Sequence, residues 1–372
     1  MRYYAVYPIS ARRVRPRLKL NVTVREAVWL LVWMPRMVAL SDRHASMAPT
    51  GGKAAALHAA STRDIDEQAA LLRGWNQTYD QISAGPFKGA FLEAQLDGVL
   101  LFREVTSNAL HQRGHLPSGS IAVGVPIALC GNATFCGQHC DGTQLHVFSG
   151  KDSFDFFSPR GLDIAGFVLA ESDLHGAFTS DQQETVLSTL LYPHLRPVEP
   201  RAACHMRRTF GDICEVLAES SECAIDPLRL SLMARDVTDA VVTALSGAGS
   251  EKSDISPAKR ARVVREAREL VVDSPDRYAS VEELCRTLGI SRRALQQSFQ
   301  ETLGLKPTAY LRAVRMNGAR RAIKHAGSVA EAAALWGFWH FGRFARDYNV
   351  MFGELPSEAF RRYRPAHGMK GL

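Results

Sequence analysis

The sequence predicts an α+β chain: a mixed, β-rich domain followed by an all-α domain with two helix-turn-helix units joined by a long helix. Three observations predict it. Residues 281–307 and 329–356 repeat one pattern of apolar residues, glycines and helix starts. Residues 87–170 hold short β-prone runs separated by Gly, Pro and Asn. Charge is divided along the chain, +7 over residues 1–50, −10 over 51–256 and +9 over 257–364. With 372 residues the chain can bury two cores.

The elements follow in order. Residues 1–56 read as an extension or linker, translated from a start upstream of the natural one, with Met37 or Met47 as later candidates. Within it "AVWLLVWM" at 27–34 follows the basic "ARRVRPRLK", which superficially resembles a secretory signal. No apolar run reaches the roughly 18 to 20 residues that span a bilayer. "SMAPTGGKAAALHAAS" at 46–61 has the small-residue texture of a linker. From Ala69 to Ser83, apolar and aromatic residues at 71, 72, 75, 79 and 82 fit a helical face stopped by "AGP".

"AFLEAQLDGVLLFREVT" then carries Asp97-Gly98 between two β-prone runs, a hairpin signal for a tight primed turn. Further runs, "SIAVGVPIAL", "QLHVFSG" and "IAGFVLA", predict a small barrel or sandwich. After Ser180 the texture is helical through "QQETVLSTLLY", "RRTFGDICEVLAES" and "PLRLSLMARDVTDAVVTALSG". The domains are then 57–246, a linker at 247–256, a helical domain at 257–364 and a tail at 365–372. Seven scattered cysteines, an odd number without small-loop spacing, fit reduced thiols in a cytoplasm.

The repeat carries the chemistry. Val281, Glu283 and Gly289 recur as Val329, Glu331 and Gly337, and both copies open on a capping box, Ser280-x-x-Glu283 and Ser328-x-x-Glu331. One inserted residue later, Leu295, Phe299, Leu303, Gly304 and Pro307 recur as Phe344, Tyr348, Phe352, Gly353 and Pro356. Each copy reads as helix, tight turn, helix, with Gly289 and Gly337 at a turn position that favours left-handed backbone.

Leu284, Leu288, Ile290, Leu295 and Phe299 form the apolar seam of the first copy, leaving Arg292, Arg293, Gln296, Gln297 and Gln300 outside. Arg pairs bidentately with guanine and Gln with adenine, so this face can read bases in a major groove. In the second copy His340, Gly342, Arg343 and Arg346 face outward, and Trp336, Phe338 and Trp339 lock the unit to its neighbours. A helix over 308–324 would be about 25 Å long. It would hold two recognition helices near the spacing of successive major grooves, about 34 Å. One chain would then cover roughly 20 base pairs.

At "ISRRALQQSFQETLGLKPTAYLRAVRMNGARRAI" and "AALWGFWHFGRFARDYNVMFGELPSEAFRR" the sequence resembles the AraC-type family of bacterial transcription factors. The resemblance implies base contact from Arg293, Gln296 and Gln297. Gly342, Ala345 and Arg346 hold the matching places in the second unit; two of them lack a reading side chain, so that unit is expected to grip backbone. "RGWNQTYDQISAGPFKGAFLEAQLDGVLLFREVTSNALHQRG" is also similar to the sensor region of the family's ethanolamine-utilisation operon regulators. That likeness implies ethanolamine as effector and adenosylcobalamin as co-effector, with no required cofactor. The whole then implies a cytoplasmic activator of a catabolic operon that binds promoter double-stranded DNA and RNA polymerase, not an enzyme. Helices within 203–246 are candidates for a homodimer interface.

Arg103, Glu104, His111 and His115 lie on β-prone segments and are candidate effector contacts. "DLHG" at 173–176 departs from the Asp-x-His-x-x-Gly pattern by which some cobalamin proteins ligate cobalt. Cys130, Cys136, His139, Cys140 and His146 cluster in sequence, but no Cys-x-x-Cys pair follows, and no metal site is assigned. Two alternatives remain: a DNA-repair alkyltransferase fused to the same module, discriminated by alkyl transfer to cysteine, and an effector-independent architectural DNA binder, discriminated by ligand-independent occupancy.

Overall fold

Antiparallel pairing organises the first half of the protein in a computed structural model that describes residues 57–72, 74–129, 131–173, 194–219, 226–246, 255–275 and 280–363. The N-terminal apolar stretch, "QQETVLSTLLY" and most of the 247–256 linker lie outside the described residues. Strands β1 (Leu57–Thr62), β3 (Gly89–Gln95), β4 (Leu100–Thr106), β6 (Ser120–Ala128), β9 (Gln144–Ser149), β11 (Leu162–Ala170) and β12 (His194–Pro197) form a seven-stranded sheet in the order β1-β3-β4-β11-β6-β9-β12. A five-stranded sheet, β2-β5-β10-β7-β8, is built from β2 (Asn76–Gln81), β5 (Leu110–His115), β7 (Ala133–Phe135), β8 (Gln138–Cys140) and β10 (Phe154–Ser158). The fold class is the expected one, with the β-rich domain as two packed sheets.

Aromatic rings fill the space between the sheets. Trp75 meets Phe148 at 5.4 Å, Phe135 meets Phe148 at 5.0 Å and Phe148 meets Phe154 at 5.1 Å, all edge to face. The other face of the large sheet is covered by α2 (Pro200–Glu219) and α3 (Pro227–Ser246), through Met206, Phe210, Leu217, Val237 and Val241.

Two local expectations need correction. The helical reading of 69–83 fails: the helix is α1 (Ile65–Leu71), started by Asp64, whose side chain accepts from Asp66 N and Glu67 N. Gly74 then turns at φ 79, and Asn76–Gln81 pairs with β5 as a strand. A short helix followed by a strand places apolar residues at a mixed spacing that imitates one longer helix. The Asp97-Gly98 hairpin is present, with Leu96 N donating to Val99 O at 2.8 Å. Only Gly98 has positive φ, so its turn is not primed.

The C-terminal domain has seven helices among the described residues: α4 (Ile255–Asp273), α5 (Val281–Leu288), α6 (Arg292–Leu303), α7 (Pro307–Ile323), α8 (Val329–Leu335), α9 (Phe341–Phe352) and α10 (Pro356–Tyr363). Each repeat has its own core, and α7 serves both. Tyr310, Leu311 and Val314 join Leu284, Leu295 and Phe299 in one cluster, while Met316, Ala319 and Ile323 join Phe344, Tyr348 and Phe352 in the other. Both capping boxes form their N-cap bond, Ser280 Oγ accepting from Glu283 N at 3.2 Å and Ser328 Oγ from Glu331 N at 3.0 Å. Gly289 and Gly337 have φ 64 and 71. Trp336 packs on the backbone of α7, where a Cβ on Gly318 would lie 2.3 Å from the indole. Phe338 packs against Phe344 at 5.1 Å, whereas Trp339 is 65% exposed and locks nothing.

Candidate DNA interface

The two second helices of the repeats, α6 and α9, expose the faces expected of them. Ser291 caps α6 by accepting from Ala294 N at 3.1 Å, and Leu295, Ser298, Phe299 and Thr302 are buried. Helical spacing then leaves Arg292, Arg293, Gln296, Gln297 and Gln300 exposed. Arg292 pairs with Glu282 at 3.0 Å and Gln297 donates to Glu301 at 2.6 Å, so both side chains are held on the surface. In α9 Phe344, Tyr348 and Phe352 face inward, while His340, Gly342, Arg343 and Arg346 are exposed and Ala345 is half-buried. Asp347 accepts from Arg312 and lies 3.8 Å from Arg343.

The β-rich domain grips both helices at their C-terminal ends. Thr134 Oγ1 donates to Thr302 O in the last turn of α6 at 2.5 Å. Gly85 N and Gln81 Nε2 donate to Met351 O in the last turn of α9, at 3.0 and 2.7 Å. Between them, Gln81 N donates to Asn317 Oδ1 on α7 and Asn317 Nδ2 donates back to Gln81 O, at 3.1 and 2.8 Å. The N-terminal turns, which carry Arg292, Arg293, Gly342 and Arg343, point away from these contacts.

A buried ionic network joins the two domains. Asp80 on β2 accepts from Arg113 of its own sheet at 3.1 Å, from Arg268 on α4 at 3.0 Å and from Arg321 on α7 at 2.9 Å. Arg321 also reaches Asp66 at 2.9 Å, and Arg320 pairs with Asp64 at 3.2 Å and Glu354 at 2.7 Å. Lys324 reaches Asp66 at 2.6 Å. Burial alone would raise both acids. Instead Arg320 and Lys324 bring Asp64 to about 2, and Arg321, Arg268 and Arg113 hold Asp80 well below the carboxylate range. The charge asymmetry along the chain is therefore partly internal: basic residues of the helical domain neutralise acids of the β-rich one. No short motif signalled these pairs; the opposite signs of the two segments were their only trace in the sequence.

The four candidate effector contacts do not converge. Arg103 and Glu104 are neighbours on β4, so they point to opposite faces. Arg103 turns toward α2 and forms a buried pair with Asp163 at 2.8 Å. Glu104 turns inward, accepting from Gln68 Nε2 at 3.0 Å and Tyr79 OH at 3.1 Å, and burial pushes its carboxyl up to about 7. His111 is buried between the domains, stacked on Phe157 at 3.8 Å. Burial lowers its pKa, against the pull of Asp155, so the neutral ring donates from Nε2 to Asp155 (3.1 Å) and accepts at Nδ1 from Tyr310 OH (2.6 Å). His115 is exposed at the rim of a cleft between the domains.

The Cys/His cluster assembles no cation site among the described residues. Burial pushes the Cys136 and Cys140 thiols up to about 12 and His146 down to about 3, with the His146 ring stacked on Phe135 at 4.9 Å.

Residues 284–362 match the family model described as a helix-turn-helix domain. The probable thc operon regulatory protein of Rhodococcus erythropolis is 40% identical over 100 residues, 25% of this chain and 30% of that protein. The XylDLEGF operon transcriptional activator of Pseudomonas putida is 32% identical over 98 residues, again 25% of this chain and 30% of that protein. The chain thus spans 30% of the length of these curated relatives. The solved structure of a probable AraC family transcriptional regulator from Rhodopseudomonas palustris CGA009 is 36% identical, covering 28% of this chain and 99% of that one, with a TM-score of 0.26. These likenesses fall on the two helix-turn-helix units: the C-terminal helical domain is similar to those of AraC-type transcriptional regulators.

Proposed function

We propose that the protein is an effector-controlled, sequence-specific activator that binds promoter DNA in the cytoplasm through α6 and α9 and presents itself there to RNA polymerase. The observation that carries this reading is the pair of recognition faces held by one domain. Arg293, Gln296 and Gln297 read bases, Arg292, Gln300, His340 and Arg343 flank them, and Gly342, Ala345 and Arg346 lie against backbone. The β-rich domain acts as the sensor, because a shift of its second sheet would change the relative placement of the two helices. Leu228 and Leu232, 65% and 52% exposed on α3, give that helix an apolar face suited to a homodimer.

Ethanolamine and adenosylcobalamin enter only through the resemblance. The corrinoid does not fit the described residues: aromatic rings occupy the space between the sheets, and the interdomain cleft of about 840 Å³ is of the size that holds drug-sized ligands. An amine effector needs an anionic cavity. Glu104, the buried carboxylate on the inner face, is the residue that would meet it if the sheets part.

The test is selection of binding sites from random duplexes by the full chain, followed by titration at several salt concentrations. A bipartite site of roughly 20 base pairs with steep salt dependence is expected. Salt-insensitive or absent duplex binding would overturn the proposal.

A further inference from the structure

A cleft of about 840 Å³ opens between α4 and the outer face of the second sheet. Its walls come from both domains. Lys259, Arg262, Arg265 and Arg268 descend one side of α4, and Arg113 on β5 faces them. Against these five fixed cations the lining offers two carboxylates, Asp155 and Glu269. Lys259, Arg262 and Arg265 are exposed, and the buried Nε of Arg113 has no hydrogen-bond partner. A half-enclosed cavity walled by protein focuses such a field, and guanidinium forks match carboxylate and phosphate oxygens.

We propose that this cleft binds a small multivalent anion, held by Arg262, Arg265 and Arg113, and that its occupancy competes with Asp80 for Arg113 and Arg268. The second clause follows from connectivity. Arg113 and Arg268, which line the cleft, both bond Asp80, and Asp80 holds Arg321 of the connecting helix. On the opposite wall, Asp155 leads through His111 to Tyr310 on the same helix. An anion that draws the two arginines outward leaves Asp80 under-compensated and loosens α7 from the sensor. The inference rests on the reading of the chain as an effector-controlled DNA binder and names the chemical class of the effector.

The experiment uses the full chain with glucose 6-phosphate as the phosphomonoester probe, citrate as the carboxylate probe, and sodium chloride at matched ionic strength as the control. Binding only to the folded state raises the melting temperature saturably. A saturable rise with one probe, weakened at least tenfold in Arg265→Ala with no change in the unliganded melting temperature, supports the site and tells phosphate from carboxylate chemistry. The same probe should change affinity for the selected duplex at least threefold in the wild type and not in Arg265→Ala. Equal responses to both probes and chloride, or a rise that survives in Arg265→Ala and Arg262→Ala, would overturn it. So would displacement of the probe by duplex, which would assign the cleft to DNA backbone. Duplex binding without any probe separates the two readings: if it persists while anion binding fails, the DNA-binding proposal stands and the cleft proposal falls.

Discussion

Arg321 of the connecting helix lies 2.9 Å from Asp80, a fully buried carboxylate on β2, and this contact is one of the ion pairs that join the two helix-turn-helix units to the β-rich domain. Asp80 is also the partner of Arg113 and Arg268. Removing it leaves three guanidinium groups around an uncompensated buried site. Asp80→Ala should therefore cost about 3–5 kcal/mol, the range for breaking one partner of a buried pair. Urea unfolding of the full chain followed by tryptophan fluorescence measures this.

The same network sets an acid limit. Asp64 and Asp80 have folded pKa values below the unfolded value of about 3.9. The stability they contribute is present above about pH 4 and is lost as pH falls through the folded values, about 2 for Asp64. Hydrogen exchange at the interdomain amides, Gln81 N and Gly85 N, should lose protection between pH 4 and 2 relative to core sheet amides such as Val123 N. Equal loss across both sets would show that the ion pairs do not control domain contact.

Much of the helical domain was legible because its signals are local: a cap, an apolar spacing and a left-handed glycine each act within a few residues, and the repeat stated them twice. The β-rich domain was less so. Strand β1 was hidden in small residues that read as linker because its identity comes from pairing with β3. Arg103 and Glu104 are adjacent on β4, and strand alternation sends their side chains to opposite faces. The bond between His111 and Tyr310, 199 residues apart, had no local trace.

Gly318 was legible only as a weak helix former. Its missing Cβ is required, because Trp336 lies where that atom would be. Gly318→Ala should cost about 1–3 kcal/mol by overpacking, despite the higher helix propensity of Ala. Gly342 meets nothing within 4 Å, so Gly342→Ala should be neutral or stabilise by up to about 1 kcal/mol. Thermal melts of the two variants check the contrast.

On DNA, the two units should respond differently. If Arg293 reads a base as proposed, Arg293→Ala should cost about 1–3 kcal/mol at its preferred base pair and relax selection there, as expected for loss of a bidentate base contact. Arg346→Ala should weaken all duplexes evenly and reduce the salt slope by about 1. Binding-site selection and salt titration on each variant separate these outcomes; the reverse pattern would exchange the roles of the two helices.

Glu104 tests the interior of the β-rich domain. Burial places its folded pKa at about 7 against an unfolded value near 4.5. Below pH 4.5 the carboxyl is protonated in both states and imposes no penalty. Between pH 4.5 and 7 the unfolded chain ionises first, so stability falls as pH rises; above 7 both states are ionised and the penalty is constant. Glu104→Gln keeps an acceptor for Tyr79 OH and Gln68 Nε2 and removes the buried charge. Its advantage over the wild type should grow from near zero at pH 4.5 to on the order of 3 kcal/mol above pH 7. Denaturant unfolding across that range reads the difference, and a pH-independent difference would show that the fold does not raise the Glu104 pKa. If an amine ever occupies this interior, its binding must hold the carboxylate ionised, and the wild-type stability profile would then flatten in its presence while that of Glu104→Gln would not.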